Sequence, residues 1–166
     1  MRGVDSYYWD SCLFLAWLKD EERPEGEMSG VREFLDRAKR SEIRILTSVL
    51  TLTEVLEAAV PTDAGSEFQR LFRRRGFGLL QVTRPIAERA AEIRKFYRDS
   101  GSKLPTPDAI HLASAIHYEA AAFHTFDKGK SGKGVGLLQL DGDVAGHPLR
   151  IHKPLAEQQS LDLRSE

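Results

Sequence analysis

The stretch SKLPTPDAIHLASAIHYEAAAFHTFDKGK, Ser102 to Lys130, contains the most apolar segment of the chain. Thr106 can cap a helix and Pro107 suits a first helical position, so the pattern predicts a helix that begins there. The strand AAFHTF is expected to follow, because aromatic residues in a short apolar run favour extended structure. One acid, Asp108, opens the helix and another, Asp127, ends the strand. Acids at both edges of an apolar segment require an explanation.

The rest of the chain alternates between strand and helix patterns. Strands are predicted at residues 4–10, 43–48, 79–83 and 121–126, with weaker candidates at 136–140 and 148–154. Helices are predicted at residues 11–21, 31–40 and 49–59, from 66 to an end at Gly76 or Gly78, at 85–100 and from 106 onward. Residues 23–30 are predicted to form a polar loop. Such alternation is typical of βαβ units, so we expect an α/β fold with a mostly parallel central sheet covered by helices.

Length and composition predict one domain, residues 1–153, followed by a polar tail, residues 154–166. The net charge is −1, so the overall charge does not indicate a nucleic-acid binder, and such a role would need a local basic patch. The single cysteine, Cys12, excludes an internal disulfide and favours a reducing, cytoplasmic location. The N-terminus does not resemble a signal peptide, and no apolar run approaches the roughly 18 residues that a membrane span needs.

Acids from distant parts of the chain are predicted to meet at one edge of the sheet. Asp10 and Asp127 end two predicted strands, Asp108 opens a helix, and Glu54 lies early in the helix after another strand. In α/β sheets, ligands bind beyond the carboxyl ends of the strands. Carboxylates held close together raise one another's pKa, and a divalent cation compensates their charge. Carboxylate oxygens suit Mg²⁺ or Mn²⁺, and one or two such ions would act on a phosphodiester.

Each acid also has a simpler structural interpretation. Asp10 can cap the following helix, and Asp127 can begin a turn. Asp108 can interact with the helix dipole, which contributes about 0.3–1 kcal/mol. Glu54 points away from the apolar face of its helix, which by itself indicates a solvated glutamate. Only the acids taken together favour a metal site.

Neighbouring polar residues have two interpretations each. In an active site, Ser11 and Thr125 would orient a carboxylate. Otherwise, Ser11 would cap a helix or Thr125 would form a hydrogen bond in the core. Three histidines, His111, His117 and His124, are not spaced like metal ligands and are interpreted as structural. His111 lies one turn after the acid of its helix and could contact substrate.

The remaining candidates are basic residues and the one thiol. Lys128 and Lys130 stand next to Asp127, where they could contact phosphate groups. The arginines of residues 70–75 are expected to form a solvated charged face. Cys12 is expected to lie in the core.

Three segments together resemble the PIN-domain ribonucleases, and most closely the VapC-like toxins of type II toxin–antitoxin systems. They are YYWDSCLFLAWL (7–18), LTSVLTLTEVLE (46–57) and PDAIHLASAIHYEAAAFHTFDKG (107–129). The last segment is the most specific, because an Asp-Ala-hydrophobic helix leads at short range to a strand that ends Thr-x-Asp. The family often has an aromatic residue soon after the last acid, where this chain has only glycine and lysine.

The resemblance implies a three-layer α/β/α sandwich (PIN-like) and an endoribonuclease that depends on Mg²⁺ or Mn²⁺. It assigns catalysis to Asp10, Glu54, Asp108 and Asp127, metal binding to Asp10, Asp108 and Asp127, and supporting hydroxyls to Ser11 and Thr125. The implied partners are an RNA substrate, a cognate antitoxin and a second copy of the chain in a homodimer. The alternative is a catalytically inactive PIN-fold module that binds RNA or protein. A phosphatase with an aspartyl nucleophile is disfavoured, because the first predicted strand leads into DSCLF rather than Asp-x-Asp.

Overall fold

A parallel sheet forms the centre of the chain in a computed structural model that describes residues 3–129 and 134–156. Its strands in this part of the chain are β1 (Ser6–Trp9), β2 (Arg44–Ser48), β3 (Phe77–Leu80), β4 (Ala122–His124) and β5 (Ile151–His152). Their order across the sheet is β3-β2-β1-β4-β5, and each neighbouring pair is parallel. The central strand is β1, where Tyr8 pairs with Leu46 on one side and Phe123 on the other.

Helices cover both faces of this sheet. They are α1 (Ser11–Leu18), α2 (Glu27–Lys39), α3 (Leu50–Leu56), α4 (Ala64–Leu71), α5 (Arg84–Asp99) and α6 (Thr106–His117). Helices α1 to α4 pack around a core that includes Trp9 and Phe68, whereas α5 and α6 pack around Tyr8 and Leu112. This arrangement confirms the predicted three-layer α/β/α sandwich. Within the described ranges, no helix combines the length and apolar character that crossing a membrane would require.

The alternation of side chains along β1 sends adjacent aromatic residues to opposite layers. Tyr8 lies in the core beneath α5 and α6, Trp9 lies in the other core, and both are fully buried. The indole of Trp9 donates to Nδ1 of His124 at 3.0 Å, and the hydroxyl of Tyr8 lies 2.7 Å from Nδ1 of His111. Because both faces of β1 are packed in this way, the position at which Asp10 leaves the sheet is fixed.

The structure corrects two predicted elements. Residues 136–140, predicted as a strand, form a short 3₁₀ helix at Leu137–Leu140. The reason is that Asp127 accepts hydrogen bonds from the amides of Leu137 (3.1 Å, to the carboxylate) and Leu138 (3.0 Å, to the main-chain oxygen). Helix α2 begins at Glu27, inside the predicted loop, because Gly26 adopts the left-handed conformation (φ 85°) that turns the chain into the helix.

The segment after β5 packs against α2. Pro154 is buried, and a Cβ atom at Gly30 would come within 2.0 Å of its main-chain oxygen. Lys153 forms an ion pair with the buried carboxylate of Glu27. The predicted domain end at residue 153 stays a prediction, and residues 157–166 of the predicted tail lie outside the described ranges.

Candidate active site

Two of the predicted acids lie at the ends of adjacent parallel strands. Asp10 directly follows β1, and its amide donates to the main-chain oxygen of His124 in β4 at 3.5 Å. Asp127 follows the end of β4 by three residues. The carboxyl ends of neighbouring parallel strands meet at one edge of a sheet. We call this edge, with Asp10, Glu54, Asp108 and Asp127, the acidic edge.

The carboxylate of Asp10 is buried and hydrogen-bonded at both oxygens. Oδ1 accepts from the amide of Cys12 at 3.2 Å and from its thiol at 2.6 Å, and Oδ2 accepts from the hydroxyl of Thr125 at 2.6 Å. Burial raises the pKa of Asp10, while the hydrogen bonds from Cys12 and Thr125 oppose the increase because they stabilise the charged form. Asp10 is also the N-cap of α1, so its predicted capping role is confirmed and the cap suggested for Ser11 is wrong.

The hydroxyl of Thr125 joins the two acids that follow β1 and β4. It donates to Asp10 and accepts from the amide of Asp127 at 3.0 Å. A hydroxyl group can make both bonds at once, since it carries one proton and two lone pairs. The fully buried Thr125 therefore lies where it can orient Asp10, which is the role that the sequence predicts for it.

Asp127 organises the loop that follows β4. Its Oδ1 accepts from the amide of Gly129 at 2.8 Å, and its Oδ2 accepts from the amide of Leu137 at 3.1 Å. Gly129 has a φ of 76°, a conformation that favours glycine. The turn interpretation of Asp127 therefore describes its hydrogen bonds, and its charge adds a second role.

Asp108 links the acids electrostatically. It lies half-buried in the first turn of α6, and within the described ranges its carboxylate accepts no hydrogen bond. Burial, followed by the charge of Asp127, raises the pKa of Asp108 from 3.8 to about 6. His111 opposes this increase, whereas Asp10 and Glu54 add to it. The other three acids are therefore all close enough to Asp108 to affect its ionisation.

Glu54 reaches the acidic edge from α3. Its Oε2 lies 3.0 Å from Nε2 of the buried His111, and 26% of the Glu54 side chain remains exposed. Glu54 is thus not simply a solvated glutamate, because its partly exposed carboxylate is paired with His111 of α6.

Sequence reasoning missed the contributions of Cys12 and His111. The thiol of Cys12, expected in the core, donates to Asp10 and lies 3.7 Å from the hydroxyl of Thr125. His111 is only 2% exposed, so the substrate contact suggested for it is wrong. A signal was available in each case: Cys12 is two residues after one acid, and His111 is three residues after Asp108, a spacing that places both side chains on one side of a helix.

The remaining predicted residues have simpler surroundings. Ser11 is partly buried, and its side chain forms no hydrogen bond with any residue in the described ranges. Lys128 is exposed beside Asp127, in keeping with a solvent-facing cation. Lys130 lies outside the described residues.

The acids suit a hard divalent cation by their chemistry. In residues 3–129 and 134–156, no group of three or more histidine, cysteine, aspartate or glutamate side chains is placed to hold a metal ion. Mg²⁺, however, keeps several waters and takes only one or two carboxylates, so three side chains are not required. Asp108 and its strongest charged neighbour, Asp127, form such a pair, and the charge of Asp127 adds to the burial that raises the pKa of Asp108. The donor set therefore fits Mg²⁺ or Mn²⁺.

A parallel α/β/α sandwich with carboxylates along one strand edge defines the class of fold and site. Within that class, the chain belongs to the PIN domain family, whose model matches residues 7–131. No curated protein matches the sequence significantly.

Solved structures share this fold at low sequence identity. A toxin–antitoxin complex from Klebsiella pneumoniae is 19% identical with a TM-score of 0.55, covering 76% of this chain and 90% of that one. FitAcB from Neisseria gonorrhoeae is 16% identical with a TM-score of 0.59, covering 89% and 97%. VapC20 from Mycobacterium tuberculosis, a toxin that cleaves the sarcin-ricin loop, is 14% identical with a TM-score of 0.56, covering 74% and 90%.

Proposed function

We propose that this chain is a metal-dependent endoribonuclease and the toxin of a toxin–antitoxin pair. The observation that carries the proposal is that four carboxylates converge at the acidic edge. Thr125 joins Asp10 to Asp127 through hydrogen bonds. Asp108 lies close enough to Asp127, Asp10 and Glu54 for their charges to raise its pKa. Four carboxylates that interact at one strand edge form an anionic site, and in residues 3–129 and 134–156 none of them forms an ion pair with a lysine or arginine. Membership of the PIN domain family favours nuclease chemistry for such a site.

Asp108 and Asp127 are the pair that would hold Mg²⁺ or Mn²⁺, and Asp10, the third predicted ligand, would act on the ion through its bound water. Such an ion supplies charge neutralisation at the scissile phosphate and makes water a better nucleophile. Asp10 would enter as an oriented anion, because Thr125 and Cys12 already hold both of its oxygens. Glu54 completes the rim of the acidic edge as a carboxylate held by α6.

Cys12 is not suited to act as a nucleophile. Burial and the adjacent charge of Asp10 raise the pKa of its thiol well above the ordinary value, so the thiolate is scarce near neutral pH. Hydrolysis by water is therefore the reaction that fits this site. The expected products carry 5′-phosphate and 3′-hydroxyl ends.

The proposed substrate and protein partners rest on family membership, and the charges indicate where they would bind. Lys128, exposed beside Asp127, and Lys130 would contact RNA phosphates next to the acidic edge. A cognate antitoxin would inhibit by covering this edge and presenting a basic side chain to it. The Klebsiella pneumoniae relative was solved as a toxin–antitoxin complex, which supports a partner of this type, and we expect the toxin to form a homodimer.

The test is RNA cleavage by the purified, antitoxin-free protein. Structured and unstructured RNAs are incubated with Mg²⁺, Mn²⁺ or a chelator, for the wild type and for Asp108→Asn. Asp99→Asn is a matched control, because Asp99 is an exposed helical aspartate paired with Lys95. We expect cleavage by the wild type and the control, and none with chelator or with Asp108→Asn. Cleavage that persists in Asp108→Asn and in chelator would refute the proposed mechanism.

The same samples test the alternative of a non-catalytic binding module. RNA or antitoxin binding by the wild type, without cleavage under either cation, would favour that module. The presence of all four acids speaks for the nuclease, since a binding module would not need Asp108 to remain without a hydrogen-bond partner in the described ranges.

A further inference from the structure

A buried chain of hydrogen bonds leads from the sheet to the acidic edge. The amide of Ser48 donates to the Tyr8 hydroxyl at 3.1 Å, and that hydroxyl lies 2.7 Å from Nδ1 of His111. The other ring nitrogen, Nε2, lies 3.0 Å from Oε2 of Glu54. We propose that His111 is a positioning residue of the nuclease, and that Tyr8 and His111 orient the Glu54 carboxylate. This inference rests on the proposed function and adds two residues to its site.

The donor and acceptor in each of these hydrogen bonds can be assigned by starting from the Ser48 amide. An amide N–H can only donate, so the Tyr8 oxygen accepts from Ser48 and its own proton must find another acceptor. The hydroxyls of Ser114 and Thr47 also lie near the Tyr8 oxygen, but they donate to the main-chain oxygens of Ile110 and Trp9. The shortest hydrogen bond of the Tyr8 hydroxyl in the described ranges is the one to Nδ1 of His111, at 2.7 Å, and we assign the Tyr8 proton to that bond. Nδ1 is therefore unprotonated, and the neutral imidazole carries its proton on Nε2. His111 consequently donates an N–H to the carboxylate of Glu54.

Burial restricts His111 to an indirect role. Tyr8 is 0% exposed and His111 is 2% exposed, so neither can reach an RNA strand on the surface. Of the four residues joined by these hydrogen bonds, Glu54, with 26% of its side chain exposed, is the only one that solvent reaches. The hydrogen bonds therefore end at the one group that can act on a substrate.

These hydrogen bonds connect three of the elements that position the acids. Tyr8 lies in β1 two residues before Asp10, and His111 lies in α6 three residues after Asp108. Glu54 lies in α3, which otherwise packs on the opposite side of the sheet from α6. A shift of α3 relative to α6 would stretch the His111–Glu54 bond. The bond is thus placed to set the separation of the carboxylates.

A second buried histidine provides a comparison. His124 accepts from the indole of Trp9 at 3.0 Å, but its Nε2 has no partner in the described part of the chain. A histidine that only fills the core can therefore leave one nitrogen unpaired in this fold. His111 has both nitrogens paired, and one of them is paired with a candidate catalytic group.

Two substitutions of His111 separate the positioning role from packing. The amide nitrogen of glutamine can occupy the position of Nε2, so His111→Gln keeps a donor to Glu54. The shorter asparagine reaches only the position of Nδ1, so His111→Asn loses that donor. We expect kcat to fall about 10- to 100-fold in His111→Asn and to stay within about threefold in His111→Gln, with KM little changed in both.

A matched pair of tyrosine variants controls for the loss of a buried hydroxyl. Tyr97 also accepts a backbone amide, from Ala145 at 3.1 Å, but it lies away from the acidic edge. Tyr8→Phe should lower kcat several-fold more than Tyr97→Phe. Equal kcat values for the two phenylalanine variants, or for the two His111 variants, would overturn the positioning role. If His111→Asn does not fold in thermal melts, the tyrosine pair decides.

A readout without RNA tests the chain of hydrogen bonds itself. Long-range ¹H–¹⁵N correlation spectra of the metal-free wild type should show His111 protonated at Nε2 and not at Nδ1. Tyr8→Phe should introduce the Nδ1-protonated form, and Tyr97→Phe should not. A wild-type His111 protonated at Nδ1 would refute the inference. A wild type that cleaves no RNA but shows the expected tautomer refutes the nuclease proposal and supports the hydrogen-bond chain.

Discussion

Replacing Asp108 by asparagine should stabilise the metal-free protein while abolishing cleavage. The folded state raises the pKa of Asp108 to about 6, chiefly because burial disfavours its charge and Asp127 repels it. Above that pH the folded protein must hold an anion that it disfavours. Asparagine has nearly the same shape and no charge, so the variant avoids this cost.

The magnitude follows from the two pKa values. The interval from 3.8 to about 6 corresponds to about 3 kcal/mol for a fully shielded carboxyl, at about 1.36 kcal/mol per pH unit. Because Asp108 is only half-buried, solvent screening reduces the expected gain to about 1–2 kcal/mol.

The sign also sets the pH window. Between pH 3.8 and about 6 the folded wild type binds more protons at Asp108 than the unfolded chain does, so its stability falls as the pH rises. The destabilisation caused by ionised Asp108 is absent below pH 3.8 and fully present above about pH 6. The advantage of Asp108→Asn should therefore grow from near zero at pH 4 to its full size at pH 7.

Urea denaturation with chelator, at several pH values, measures this difference. Asp99→Asn is the control of opposite sign, because the hydrogen bond from Lys95 lowers the pKa of Asp99, and its loss should slightly destabilise. Added Mn²⁺ should raise the melting temperature of the wild type more than that of Asp108→Asn. The reasoning fails if Asp108→Asn is no more stable than the wild type at pH 7, or if its advantage does not change with pH.

Three further substitutions test contacts around the site and the fold. Thr125→Val leaves one oxygen of the buried Asp10 without its donor, so the free energy of unfolding measured with urea should fall by about 1–3 kcal/mol and cleavage should be reduced. Thr125→Ser keeps the hydroxyl, so its stability and cleavage should stay near those of the wild type. Cys12→Ala removes the thiol donor to the same carboxylate and should raise the pKa of Asp10 further, as measured by ¹³C NMR titration. Cys12→Ser keeps a donor and should raise that pKa less. An unchanged pKa in Cys12→Ala would contradict the hydrogen bond from the thiol to Asp10. Gly30→Ala places a Cβ atom 2.0 Å from the main-chain oxygen of Pro154, so the free energy of unfolding should fall by about 1–3 kcal/mol. Cleavage per folded molecule should not change. An unchanged free energy of unfolding would show that the C-terminal segment does not pack against Gly30.

The fold class was predictable because its signals are local. Apolar runs alternate with helical periodicity along the chain, and such alternation leads to a parallel sheet covered by helices. The acids were predictable for a related reason: an acid that ends a strand lies at the carboxyl edge whatever the details of packing. Asp10 and Asp127 are of this kind. The segment 136–140 was mispredicted because its amides bond to Asp127, a partner that its own residues do not indicate.

Local pattern thus established which layers form and which edge carries the negative charge. Tertiary structure alone decided how that charge is held. Glu54 looks solvated in its own helix and becomes a partner of His111 only when α3 meets α6, across 57 residues of chain. His111 and Tyr8 are separated by 103 residues, and no periodicity relates them. Hydrogen bonds and carboxylate pKa values depend on distances of a few ångströms between such remote groups, and packing is what sets those distances.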